Sequence, residues 1–189
     1  MSTAYADGAV LPSARTLGKG LAVLRIFVGL ILLSNGLAKL FGFTAVQVGP
    51  YVANLIDRPT ARSILEYEVF QNPAGGQPGT AVPGVRPVAR LLLDQWSLAG
   101  WAVTGVELVT GALLVLGLAT RGAALVALGQ QLSLALVYAS SNRWVFEQPH
   151  EYVPLIILAI VPAGRVWGLD ARVLRRRRGN PRELRGWPF

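Results

Sequence analysis

Ala99-Gly-Trp-Ala-Val-Thr-Gly-Val-Glu107-Leu-Val-Thr-Gly-Ala-Leu-Leu-Val-Leu-Gly-Leu118 decides how this chain is read. Twenty consecutive residues, nineteen of them uncharged, match the length a helix needs to cross the hydrocarbon core of a bilayer. Glu107 sits near the middle, where an unpaired carboxylate costs roughly 2.5 to 3.5 kcal/mol on insertion scales. It must be neutralised, paired, or turned toward a polar interior. Other apolar stretches supply candidate partners: Arg25, Asn35 and Lys39 in the first, Gln130 and Gln131 in the third, His150 and Glu151 at the mouth of the fourth.

The 189 residues suit one compact domain, and a hydrophobic content of 52% moves the chain toward the membrane class. Four apolar windows organise it. The expectation is an all-α integral membrane four-helix bundle with spans at 19–43, 91–120, 121–140 and 152–169, a leader at 1–18 and a basic tail at 170–189. The loops at 44–90 and 141–151 then share the opposite side. Ile26–Leu33 is also about the length of a signal-peptide core, but no small-x-small cleavage pattern follows closely, so the segment reads as a retained span.

A net charge of +8 would suggest nucleic acid in a soluble protein. Here the basic residues sort by side. Arg15, Lys19, Arg121, Arg165, Arg172, Arg175–Arg178, Arg182 and Arg185 fall together, whereas Arg58, Arg62, Arg86, Arg90 and Arg143 are interspersed with acids. The positive-inside rule places both termini in the cytoplasm, and the Arg-rich tail is expected on anionic lipid headgroups, not on nucleic acid. There is no cysteine and one histidine. That excludes disulfides, Cys-ligated iron-sulfur or zinc sites and bis-histidine haem within the chain, and no metal site is expected.

Gly29 and Gly36 lie seven residues apart, on one helix face where a second helix can approach closely. In the external segment, Val52, Leu55, Ile56, Ile64, Leu65 and Val69 recur at helical spacing around Pro59, which predicts short helices against the outer face. Gln71–Pro87, rich in Gly and Pro, predicts an irregular loop, open to a reading as lid or as connector. From Pro87 no breaker intervenes before Thr120, so one long helix is expected, projecting outward around Leu91–Trp96. Trp96, Trp101, Tyr138 and Trp144 would mark the outer interface. Pro154 suits a first turn, and Pro162 marks a kink near the exit of the last span.

Counting residues from span centres near Ile31, Glu107, Gln130 and Leu158 puts Arg25 about 9 Å inward and Lys39 about 12 Å outward. On that reckoning Arg25 pairs with Glu107, Gln130 or Gln131 donates to the second carboxylate oxygen, and Asn35 lies nearby. Lys39 then joins Asp94, His150 and Glu151 at the outer mouth. Each group has a plainer reading: a registry pair for Arg25 and Glu107, a snorkelling Lys39, an interfacial His150, and a local ion pair for Asp170.

At these residues the chain resembles the DoxX family of small four-helix bacterial membrane proteins, which includes the DoxD-type subunit of thiosulfate:quinone oxidoreductase. The similarity runs through Leu24-Arg25, Gly29, Asn35-Gly36 and Lys39-Leu40, then Glu107 through Arg121, then Trp167-Gly168-Leu169-Asp170. The resemblance implies a multi-pass protein of the bacterial inner membrane with a quinone-linked redox role, partnered by another redox subunit or a soluble oxidoreductase. It carries site roles onto Arg25, Lys39 and Glu107. The long Gly/Pro-rich external loop and the basic tail depart from a minimal member. A quinone is the expected cofactor, and a scaffold subunit without chemistry of its own is the alternative; a transporter would be expected to show internal repeats or interrupted spans, and neither is evident.

Overall fold

The computed structural model describes residues 13–73, 78–141 and 149–176. Most of the leader, residues 74–77 of the external loop, Arg143, Trp144, Glu147 and the end of the Arg-rich tail lie outside the described residues. The fold is mostly helical.

Helix α1 (Ala14–Phe41) starts where the Ser13 side chain accepts the Thr16 N–H and stops at Gly42, whose φ of 73° lets its own N–H reach the Ala38 carbonyl. An antiparallel hairpin follows, β1 (Ala45–Val48) and β2 (Tyr51–Asn54), in the register Ala45 to Asn54 through Val48 to Tyr51. This corrects the expectation of helix for the first part of the external segment. Gly49-Pro50 is the cause, because Gly49 adopts a φ of 59° at the first central position of a two-residue turn.

Helix α2 (Arg58–Glu66) is capped by Asp57 and runs into a π-helical turn, Tyr67–Gln71. The far side of the Gly/Pro-rich loop is tied back to that turn, with Thr80 N–H donating to the Val69 carbonyl and Gly79 N–H to the Asn72 carbonyl. Next come α3 (Val85–Asp94) and α4 (Trp96–Leu116), separated at Gln95 where one long helix was expected. Gln95 ends α3 by donating to the Leu91 carbonyl and begins α4 by accepting from Leu98 and Ala99. No glycine or proline announces the break; α3 leaves the line of α4 to pack against α2 and the π turn.

Helix α5 (Thr120–Val137) leads into a 3-10 turn at Tyr138–Ser141. Helix α6 (Pro149–Ile160) is much shorter than the 152–169 span expected. Twelve residues reach about 18 Å, less than the roughly 30 Å of a hydrocarbon core. Pro162 stops it, since proline biases Val161 away from helix and offers no N–H of its own. A 3-10 turn (Ala163–Arg165) and an irregular stretch carry the chain to α7 (Asp170–Arg176). Arg121 Nε compensates at the broken end by donating to the Ala159 carbonyl at 3.0 Å.

The α1/α4 contact is the most extensive, followed by α5/α6 and α4/α5. It is close because it is built on glycine: a Cβ on Gly111 would lie 2.5 Å from the Leu33 nitrogen, and one on Gly29 would lie 2.8 Å from the Val115 nitrogen. Small residues also make up half of the shared core, where Ala123, Ala124, Ala127, Ala159 and Ala163 pack with Val28, Leu32, Leu114, Leu155 and Leu158.

Beside this apolar core, many large apolar residues lie on the outside and several polar ones inside. Phe27 is 62% exposed while Arg25, two residues earlier, is fully buried. Leu30, Ile31 and Phe41 of α1, Leu98, Val109 and Leu116 of α4, Val126 and Leu136 of α5 and Ile156 and Ile160 of α6 are likewise exposed, with Lys39, Thr104, Glu107, Thr110, Thr120 and Asp170 inside. Among the described residues two helices, α1 and α4, are long and apolar enough to cross a membrane.

Candidate functional site

The glycines that join α1 to α4 also set which polar residues meet. Gly36 packs on Leu108 and Gly29 on Gly111 to Val115, so the helices run antiparallel. The next turn of α1 then brings Lys39 to Glu107. Lys39 Nζ lies 2.9 Å from Glu107 Oε2, both side chains almost completely buried. Gln130 reaches in from α5 and donates through Nε2 to Glu107 Oε1 at 2.9 Å. A cation, a carboxylate and an amide from three helices thus converge. The expected Gln130 contact is made, and the cation is Lys39.

Arg25 does not pair with Glu107. On the same register it lies beside Gly117, ten residues and about 15 Å along α4 from Glu107. Counting from span centres sets Ile31 level with Glu107, whereas it is Gly36, five residues further along α1, that packs at the Leu108 level.

The segment after the hairpin roofs the triad. Arg58 donates from Nε to the Lys39 carbonyl at 3.0 Å, and its guanidinium stacks 3.8 Å from the centroid of the Trp101 ring. Such a cation–π contact is worth about 0.5 to 2 kcal/mol. Ile56 N–H donates to Asn35 Oδ1, and Asn35 Nδ2 to the Ile31 carbonyl, so Asn35 anchors the roof and makes no bond to Glu107. Asp57 caps α2 by accepting the Thr60 N–H at 2.9 Å. Its carboxyl is held below the usual carboxylate range, first by these Thr60 hydrogen bonds and further by the charge of Lys39. Arg58, Trp101 and Asp57 were not singled out from sequence as parts of this site, because nothing local in Asp57-Arg58-Pro59 shows that it folds back over a residue nineteen positions earlier.

The neighbours of the triad along α4 and α5 are mostly small or polar. Gly105 and Gly129, within one turn of Glu107 and Gln130, each have open space where a Cβ would be. Gln131, next to Gln130, has a buried Oε1 without a hydrogen-bond partner among the described residues. The hydroxyls of Thr104 and Thr110 are already used, donating to the Gly100 and Val106 carbonyls one turn back, each at 2.7 Å.

At the other end of the molecule Arg25 donates from Nη2 to the Trp167 carbonyl at 3.0 Å. Asp170, fully buried, accepts from the Ala119 N–H at 2.7 Å, the Thr120 N–H at 3.3 Å and the Thr120 hydroxyl at 2.8 Å. It caps α5 from fifty residues away, because Ala119 offers no side-chain cap of its own. Its charge also acts on Arg25, so its role is wider than a local ion pair among the tail arginines. The turn it secures holds Ala119 in the left-handed region, a conformation costly for a residue with a Cβ.

The expected outer cluster does not assemble around Lys39. Asp94 lines a separate cavity of about 300 Å³ with Arg62, Glu66, Phe70, Arg90 and Leu93. His150 is exposed at the start of α6, and no hydrogen bond or ion pair joins it, Glu151 or Asp94 to Lys39 or Glu107 among the described residues. No cluster of three metal-ligating side chains occurs among those residues either. Comparisons with models of known protein families, with curated proteins and with solved structures give no match.

Proposed function

We propose that this chain is a multi-pass protein of the bacterial inner membrane, similar to the DoxX family, whose buried Lys39-Glu107-Gln130 triad receives the head of a quinone-like molecule on behalf of a partner oxidoreductase. In this reading α1, α4 and α5 cross the bilayer and α6 with the stretch to Asp170 makes the fourth crossing, both termini cytoplasmic. Non-helical backbone is tolerated at such depth only where protein covers it, and Ala163 and Gly164 are indeed buried. The apolar exterior with charges inside is the pattern lipid selects, since lipid-facing charge is expensive while interior charge can pair.

The observation that carries the site is the convergence of an ammonium, a carboxylate and a primary amide from three helices, next along α5 to Gln131, whose buried Oε1 has no hydrogen-bond partner among the described residues. An ammonium and an amide N–H can donate to a quinone carbonyl, and a carboxylate beside them can hold or release a proton there. With no cysteine and one histidine in the sequence, electrons would come from the partner in this reading.

One observation favours a second reading. Both Glu107 oxygens already have neighbours, Lys39 at Oε2 by ion pairing and Gln130 at Oε1 by a hydrogen bond, so the triad can serve to hold helix register in a scaffold subunit. Glu107→Gln separates the two. It keeps shape and hydrogen-bonding capacity but removes the charge and the titratable proton. Purified from native membranes in mild detergent, a folded Glu107→Gln protein should retain less quinone than wild type, as measured by mass spectrometry. Equal retention by a correctly folded variant favours the scaffold.

A further inference from the structure

Between Lys39 and Asp57 the chain carries no acid or base, although this stretch holds the whole β1–β2 hairpin. Every residue of both strands is exposed. Pairing and alternation put Val46, Val48, Tyr51 and Ala53 on one face, a small apolar surface left exposed among the described residues. An isolated two-stranded hairpin is marginal in water, and edge strands that face water are usually guarded by charge. Among the described residues this hairpin has no covering layer, and its own sequence carries no charged guard. It begins only three residues after α1 ends, next to the exposed Leu40 and Phe41.

Helix α3 repeats the pattern at the matching end of α4, from which only Gln95 separates it. Ala89 is buried against the rest of the external segment, and Arg90 and Asp94 turn into the cavity shared with α2. Val88, Leu91 and Leu92 form an exposed stripe at spacing i, i+3, i+4. Leu98, 71% exposed on the first turn of α4, continues the apolar surface onto the span.

We propose that the hairpin face Val46/Val48/Tyr51 and the α3 stripe Val88/Leu91/Leu92 seat in the outer headgroup layer of the bilayer that α1 and α4 cross, so that the external segment lies down on the lipid as a collar around the roofed triad. This rests on the membrane reading given above. The occupant is lipid because both surfaces are continuous with exposed apolar residues at the ends of the two candidate spans, and because the hairpin offers a protein partner no charge to recognise. The depth is bounded from both sides. Free strand edges need water, so the hairpin cannot enter hydrocarbon, whereas apolar side chains reach about 5 to 10 Å into the headgroup boundary. Tyr51, with an apolar ring and a polar tip, suits that level.

The chain has no cysteine, so single replacements can each carry one nitroxide. In phosphatidylethanolamine/phosphatidylglycerol vesicles, labels at Val48→Cys and Leu91→Cys should collide several-fold more with oxygen relative to a water-soluble nickel chelate than labels at Gln47→Cys and Arg90→Cys. Their depth should be shallower than that of Val109→Cys, a lipid-facing control on α4. Nickel access at Val48 and Leu91 with Val109 still oxygen-rich overturns the collar while leaving the spans intact. Shielding of Val48 and Leu91 from both reagents shows a protein surface there, a second copy of the chain, and also overturns it. Nickel access at Val109 refutes the membrane reading itself, and the collar with it.

Discussion

Replacing Lys39 by Met leaves Glu107 buried with only Gln130 beside it, and replacing Glu107 by Leu leaves Lys39 buried with no counter-charge. At 2.9 Å the pair attracts by roughly 6 kcal/mol at an effective dielectric of about 20, while each ion gives up several kcal/mol of hydration on burial. The two terms nearly cancel, so the intact pair adds little net stability, but losing one partner strands the other charge at a cost of about 3 to 5 kcal/mol. Each single variant should therefore unfold well below wild type in detergent, followed by circular dichroism against temperature or denaturant. Lys39→Met/Glu107→Leu should recover most of the loss, so that the double variant falls far short of the sum of the two singles. Arg25 supplies the contrast: at about 15 Å its attraction to Glu107 is roughly 1 kcal/mol before screening, so Arg25→Leu and Glu107→Leu should combine almost additively. Additive losses for Lys39 and Glu107, or strong coupling between Arg25 and Glu107, would refute the helix register described above.

The same register predicts that Gly111→Ala loses about 1 to 3 kcal/mol by forcing α1 and α4 apart, whereas Gly129→Ala, with open space around it, is close to neutral in thermal unfolding. Asp170→Ala removes the acceptor for two backbone N–H groups and the Thr120 hydroxyl, and should cost about 2 kcal/mol or more; hydrogen exchange would show faster opening of the first turn of α5. Because the Asp57 carboxyl titrates below its ordinary value when folded, its contribution is fully present above that ordinary value and fades as pH falls through the lowered one. Exchange at the Thr60 N–H should accordingly quicken, beyond the intrinsic rate, only at acid pH below about 4, and Asp57→Asn should abolish that dependence.

How much of this was legible in sequence depends on what each feature is made of. Glu107 within an apolar run announces the need for a partner, because the cost of an unpaired carboxylate in lipid is a property of the run itself. Which cation answers is set by where α1 slides against α4, and that is fixed by Gly29, Gly36 and Gly111 packing on backbone, not by distance from the middle of each span. Pro162 was visible as a kink near the end of the last span; its actual effect is larger, because the freed end of α6 finds its hydrogen bond in Arg121 and does not need to continue as helix. Gly49-Pro50 is a turn signal that helical spacing in Val52, Leu55 and Ile56 obscured. The break at Gln95 has no local signal at all, since α3 is turned aside by what it packs on. Asp170 looked like one more ion-pair partner beside arginines, and only the fold brings it to the uncapped start of α5.

The central claim, that the apolar exterior faces lipid with both ends of the chain on the same side, is tested most directly by labelling single cysteines in intact cells with a membrane-impermeant thiol reagent. Gln47 in the exposed hairpin and Arg172 in the basic C-terminal helix are the two reporters, both at the surface of the fold. The account predicts that Gln47→Cys is labelled from outside and Arg172→Cys only after the membrane is permeabilised. Labelling of Arg172→Cys in sealed cells, or of neither until the cells are opened, would contradict it.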